Sequence, residues 1–318
     1  MDRDKKEPES SSRLETIAFK AQAEISKVLY DPSLGIFKPW QFEGYASSPV
    51  TLKTTYEELK ILWNEEARFR QGFEASSDTI AIPNLFAKIG GIHKDICEYE
   101  KDIELFLSSE KMFFSPKLPF VDKSPESPCI GYSRNGLLQP KAGSALMNFI
   151  SKNGALNVDS LVSSHFFEII SSNKQLQITM AQKLLQLLES DLLLKTRSEE
   201  TTLRTLHMLL SLDKSLIGLL ENFDYPFDVP KIVLYIGREA NVSFEDCAAI
   251  SFFYLCGFDI LVLTPSGHND IEIYMNSYYF DTHRLKERNP DLDYTDLKYK
   301  CNTRGKKAKS HVASFFKK

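Results

Sequence analysis

A chain of 318 residues, 42% hydrophobic and 26% charged, is long enough for about two domains with real cores, which excludes a disulfide-stapled miniature fold and wholesale disorder. Its 39 Lys and Arg against 43 Asp and Glu leave a net charge of −4, which argues against a dedicated nucleic-acid coat, whose affinity would rest on an excess of cations. The five cysteines, Cys97, Cys129, Cys247, Cys256 and Cys301, are odd in number, scattered and without a C-x-x-C pair, so they read as reduced thiols of a cytoplasmic protein.

The first 13 residues are polar and charged, with no apolar core of a secretory signal. Ser12 and Glu15 have capping-box spacing, and Leu14, Ile17, Ala21, Ile25, Val28 and Leu29 recur at helical period, predicting a helix that ends near Tyr30. Phe37, Trp40, Phe42 and Tyr45 come next, in a loop too aromatic to be a tether. Thr54 and Thr55 with Glu57 and Glu58 set up a second helix in which Leu59, Leu62, Trp63 and Ala67 share a face. Residues 79–82 read as a short strand stopped by Pro83. The pair Gly90 and Gly91 then breaks an apolar run and lets the backbone turn or approach something closely. Residues 94–107 look helical. From 115 to 143 the texture changes: Pro116, Pro119, Pro125, Pro128 and Pro140 mark an irregular linker or a long functional loop.

From 144 to about 223 the chain is leucine-rich and helical. One stripe holds Val158, Leu161, Val162, Phe166, Ile169 and Ile170; a second, Leu184, Leu185, Leu187, Leu188 and Leu192; a third, open to a break at Asp213, runs from Leu203 to Leu220. Such stripes pack as a small bundle. His165 and His207 fit the edge of that core better than a metal site, because no His or carboxylate pair stands at i, i+4.

Residues 231–236 form a β-branched run, Ser243 and Asp246 open a helix through Cys256, Gly257 is a natural stop, and residues 259–263 form a second apolar strand. That is a parallel β-α-β unit whose strands are buried on both faces. The apolar stretch 248–263 is too short to span a membrane and is interrupted by Gly257 and Asp259. The predicted class is mixed α/β: an N-terminal helix and strand region over 1–114, a Pro/Gly-rich linker over 115–143, a helical segment over 144–225, and a Rossmann-like β-α-β region with a basic tail over 226–318.

In open α/β sheets ligands bind beyond the carboxyl ends of the strands, and free amides at a helix start attract anions. The second strand runs there into residues 264–272, with Asn269 or Asp270 placed to cap a subsequent helix. Arg238 leaves the first strand at the same edge. Thr264, Ser266, Gly267, Asn269, Glu272 and Arg238 could bind a phosphate or sugar-nucleotide, with His268 and Asp270 as proton-handling groups. An ordinary strand-turn connection fits the same residues. Downstream, Asp281, His283 and Arg284 pack an acid, a base and a cation into four residues that either reach back into the cleft or open a solvated helix with Asp281 as its cap. There is no G-x-G-x-x-G and no P-loop, so neither a classical dinucleotide fold nor a P-loop nucleotidase is indicated, and the cofactor stays open. The basic end, Arg304 to Lys318 with no acid after Asn302, offers the sole feature suited to nucleic acid or an acidic partner, and a solvated, partly disordered end fits the same residues.

Residues 83–91, 257–260 and 264–272, together with the strings 54–67 and 280–285, resemble the bacterial YceG-like family. The family belongs to tellurite-resistance (Ter) stress operons and is described as part of a biosynthetic module. Its members are longer upstream, so the resemblance implies a shortened form or a C-terminal part of such a protein, with other Ter-operon proteins as partners. It leaves two functional readings. One is a nucleotide- or nucleotide-sugar-handling enzyme with its cleft at the Thr264 to Glu272 loop; the other is a non-catalytic scaffold in a stress-response complex.

Overall fold

A computed structural model describes residue 40 and residues 52–75, 80–121, 130–132, 138–140, 145–164, 171–195, 197–238 and 241–297. They lie in the larger of the two units into which the chain divides, Lys38–Lys318. The helix expected over 14–30, the aromatics Phe37, Phe42 and Tyr45, the residues His165, Phe166, Ile169 and Ile170, and the basic tail fall outside the described residues. Trp40 is described and buried.

Helix α1, Tyr56–Trp63, starts at a full capping box in which Thr55 and Glu58 satisfy each other's backbone amides. It stops at Trp63, and Ala67 sits instead in a separate 3-10 turn, Ala67–Phe69. A two-residue antiparallel pair comes after it, β1 (Glu74–Ala75) with β2 (Ile80–Ala81). Next come β3, Phe86–Gly90, and α2, Ile96–Phe106, capped by Asp95. Strand β4, Met112–Ser115, lies where no strand was expected. The Pro/Gly-rich stretch holds a small hairpin, β5 (Ile130–Tyr132) with β6 (Leu138–Pro140). The leucine-rich segment gives α3 (Val158–Val162), α4 (Lys174–Glu189), α5 (Glu199–Leu210) and α6 (Lys214–Glu221). The expected third stripe divides between α5 and α6, because Asp213 caps α6 through the amide of Ser215. Then β7 (Lys231–Tyr235), α7 (Phe244–Leu255) and β8 (Asp259–Thr264) form as the sequence predicts, with Ser243 and Asp246 making the capping box and Gly257 at φ 97° ending α7. Last comes β9, Asp281–Arg284.

Five of these strands form one all-parallel sheet in the order β4-β7-β8-β3-β9, which establishes the mixed α/β class. The β-α-β unit supplies β7 and β8, and the sheet draws its other strands from both sides of the Pro/Gly-rich stretch. Strand β9 corrects the alternative of a helix capped by Asp281. Its residues 281–284 pair with 87–90 of β3, and Asp281 accepts a hydrogen bond from the Thr54 amide at 2.8 Å. Edge position explains why this strand reads as polar: alternate residues of β9 are exposed.

The two faces of the sheet carry different covers. On one, Ala87, Ile89, Val233, Tyr235, Leu261 and Leu263 pack with Leu59 and Trp63 of α1 and Tyr99, Ile103 and Phe106 of α2. Trp63 donates from Nε1 to the Phe106 carbonyl at 2.9 Å, so its polar edge is satisfied in the core. The other face is covered by α7, whose Tyr254 ring lies 5.3 Å from Phe86. Helices α4 and α5 pack on the far side of α7. Sheet and helices therefore enclose α7, and all of its residues are buried, as its nearly uninterrupted apolar sequence requires.

Candidate functional site

The sheet's carboxyl edge is shaped by the turn after β8. Gly267, at φ 65°, closes that turn by donating its amide to the Thr264 carbonyl at 2.9 Å, and Ser266 Oγ accepts from the His268 amide. Asp270 then folds inward. Its Oδ2 accepts from the buried Thr264 hydroxyl at 2.7 Å, and its Oδ1 accepts from the Ile271 amide and from Lys88 Nζ at 2.7 Å. Lys88 projects from β3 on the α7 side of the sheet and is 2% exposed. Its ammonium also donates to the His268 carbonyl and to both oxygens of Glu272, at 2.9 and 2.7 Å. Burial alone would raise the Glu272 pKa; the hydrogen bonds from Lys88 and from the Asp270 amide outweigh it and hold the carboxyl below its ordinary value.

This knot alters the expected anion site. Asp270 leads into a single 3-10 turn, Ile271–Ile273, rather than a helix, because residues 274–276 leave to pair with 192–194. The amides of Gly267, His268, Asp270 and Ile271 are all engaged within the loop. Side chains from β9 and its continuation supply the donors instead. The extended chain past Arg284 keeps pairing with the β3 exit: the Leu285 amide donates to the Gly90 carbonyl, the Glu287 amide to Ile92, and Ile92 returns a bond to Glu287. Period-two alternation then places Arg284, Lys286 and Arg288 together on the outer side. All three are exposed, and among the described residues no carboxylate pairs with any of them. With Lys88, Gly90, Gly267, His268, Asn269, Glu272 and Thr282 they line a cavity of about 190 Å³.

Two glycines flank this cavity, and Gly267, at φ 65°, lies in the left-handed region that favours glycine. A side chain at Gly90 would come within 3.5 Å of the Gly267 backbone, and one at Gly267 within 3.3 Å of Arg288. At Gly91, φ is 91° and an added Cβ would stand 2.4 Å from the Glu287 carbonyl oxygen. The close approach expected of the Gly90-Gly91 pair is thus to residues 285–287.

The chain does not stop at the cavity. Asn289 donates its amide to the Pro265 carbonyl, the Tyr235 hydroxyl donates to the Leu292 carbonyl at 3.0 Å, and Asp293 Oδ1 accepts from the Arg238 amide. Tyr294 finally stacks edge-on with Phe114 of β4, their centroids 4.7 Å apart. Residues 285–294 therefore form a strap that crosses the carboxyl edge from β3 over β8 and β7 to β4.

Of the residues singled out in the sequence, the structure gathers Gly267, His268, Asn269, Glu272 and Arg284 around one cavity, with Thr264, Ser266 and Asp270 supporting the loop from beneath. It separates three others. Arg238 lies beyond the strap at the end of β7, beside Asp291 and Asp293. Asp281 and His283 share the opposite sheet face, since the β9 register aligns them with Ala87 and Ile89 rather than with Lys88. There the His283 ring lies 6.0 Å from that of Tyr56, and burial lowers its pKa against the opposing influence of Asp281. Tyr56, in turn, donates to Asp102, which also binds His93 Nε2 at 2.8 Å; this group ties α1 to α2. Sequence reasoning missed Lys88, Lys286 and Arg288. The alternation of 284, 286 and 288 was the available signal, visible only once the segment is known to be extended.

Comparison with known proteins bears on the whole of this region. The YceG domain matches residues 53–316. The chain is 28% identical over 292 residues to the uncharacterized protein YceG of Bacillus subtilis (strain 168), an alignment covering 91% of this chain and 52% of that protein. The chain thus spans about half the length of the curated relative it matches. No solved structure matches.

Proposed function

The chain belongs to the YceG domain family, and from that premise we propose that its carboxyl edge binds a phosphorylated small molecule of the nucleotide or nucleotide-sugar kind. The observation that carries this reading is the row Arg284, Lys286 and Arg288, three cations without carboxylate partners among the described residues, facing a cavity in a protein of net charge −4. Guanidinium groups match phosphate oxygens in charge and in bidentate geometry. Lys88, by contrast, is neutralised by Asp270 and Glu272 and serves to shape the loop. His268, on the cavity wall, is the group that would pass a proton if the bound molecule undergoes group transfer. The resemblance to Ter-operon proteins gives the setting of this proposal, a biosynthetic step in a bacterial stress response.

Thermal denaturation in the presence of nucleotides, nucleotide-sugars and phosphorylated metabolites tests it. A true ligand at a hundredfold excess over Kd stabilises the native state by about 2.7 kcal/mol, and the triple substitution Arg284→Gln, Lys286→Gln, Arg288→Gln abolishes that gain. If no phosphorylated compound raises Tm at millimolar concentration, the reading fails.

A non-catalytic adaptor role has its own observation. Leu194, Ile273 and Tyr278 are 56%, 61% and 79% exposed on segments joined by the Leu193 to Met275 bridge. That role predicts that replacing all three by Ser abolishes capture of operon partners while His268→Ala leaves the stress phenotype intact.

A further inference from the structure

A second cavity, of about 490 Å³, opens on the same edge of the sheet at the ends of β4 and β7. Its walls include Lys117 and Leu118 after β4, Gly237 after β7, Asp293 and Tyr294 of the strap, and Thr295 just past it. Their chemistry differs from that of the cation-lined cavity. Leu118 and the Tyr294 ring give apolar surface. The Tyr294 ring is held in place by Phe114 and by Tyr235, whose centroid is 5.7 Å away. Asp293 uses Oδ1 on the Arg238 amide, and among the described residues nothing donates to its Oδ2. Gly237 leaves room for Asp293, since a Cβ there would lie 2.5 Å from Oδ1 and the carboxylate would have to shift.

Resting on the reading given above, we infer that the two cavities receive opposite ends of one ligand, a nucleoside diphosphate or its sugar conjugate, with phosphates at Arg284, Lys286 and Arg288 and the nucleoside at Tyr294 and Asp293. Three features support one ligand. Both cavities lie beyond the carboxyl ends of parallel strands, where α/β sheets bind nucleotides. One continuous segment lines both, and the five steps of chain from Arg288 to Asp293 span at most about 18 Å even when extended, within reach of a stretched nucleotide conjugate. The wall chemistry is also complementary to such a molecule. An aromatic ring and an aliphatic side chain suit a base, and a carboxylate oxygen suits the ribose hydroxyls, as the acidic residue of dinucleotide sites does.

Calorimetric titration of the full chain with inorganic pyrophosphate, ADP and UDP separates the possibilities. We expect at least one nucleoside diphosphate to bind tenfold or more tightly than pyrophosphate. Asp293→Asn, which keeps the acceptor for Arg238, and Leu118→Trp, which fills the cavity from the far wall, should erase that margin and leave pyrophosphate affinity within twofold. Equal affinity for pyrophosphate and both nucleotides, or an unchanged margin in Leu118→Trp, overturns the two-ended site while the phosphate reading stands. If pyrophosphate and both nucleotides all fail to bind, the reading of the cation row fails, and this inference with it.

Discussion

Lys88 shows how one buried side chain can hold a candidate site together. Its ammonium is buried between Asp270 and Glu272, and removing it would leave two carboxylates facing each other with no counter-charge. Lys88→Met should therefore destabilise the fold by about 3 kcal/mol, and urea denaturation will measure it. The pH dependence stems from the same contacts. Because the folded pKa of Glu272 lies below its ordinary 4.5, its contribution is complete above that value and disappears as pH falls through the lower, folded one. The stability difference between the native chain and Glu272→Gln should then shrink as pH falls below 4.5. Gly91→Ala combines a left-handed φ with a backbone clash against Glu287, so we expect a loss of about 2 kcal/mol or more, read from the same denaturation curves.

At the scale of elements, α7 carries the clearest consequence. Ser243 caps its first turn, but Asp246 does more: Oδ2 accepts from the Ser243 amide and hydroxyl, while Oδ1 accepts from the amides of Phe120 and Val121. Ser243→Ala should cost about 1 kcal/mol. Asp246→Ala should cost more, about 2 to 4 kcal/mol, because it also orphans two amides of another segment; equal Tm values for the two variants would show that the tie to residues 120–121 is idle. The same elements show where sequence is informative. The β7-α7-β8 unit is legible because strands buried on both faces are continuously apolar and the helix ends carry Ser243 and Gly257. Strand β9 is not legible, since Asp-Thr-His-Arg at a sheet edge has one face exposed and its alternation is polar on both. Strand β4 has four residues, too few to set a period. The position of the candidate loop after β8 was readable, and Arg284 with it, yet the rest of the cation row was not: Lys286 and Arg288 acquire meaning only from a register that no local pattern specifies.

Across the whole molecule, the two edges of the sheet have opposite characters. At the amino edge, Arg70 forms a bidentate pair with Asp259 at 2.7 and 2.8 Å, both side chains being 0% exposed, and Lys231 stands 3.6 Å from the same carboxylate. At the carboxyl edge lie the glycines, the cations and both cavities. A buried ion-pair cluster thus stands at one end of these strands and the candidate site at the other. Arg70→Met should remove about 3 to 5 kcal/mol of stability, whereas the fraction that remains folded should bind ligand with unaltered Kd in titrations below its Tm.

The strap across the carboxyl edge would also leave a fingerprint in amide deuterium exchange. The amides of Leu285, Glu287 and Asn289 are hydrogen-bonded inward to Gly90, Ile92 and Pro265, while those of Lys286 and Arg288 bond to no described residue. Odd-numbered amides should exchange slowly and even-numbered ones fast, a sawtooth along a few consecutive residues. An anion bridging the cations would slow the even positions alone, flattening the sawtooth and reporting occupancy without any need to know the reaction.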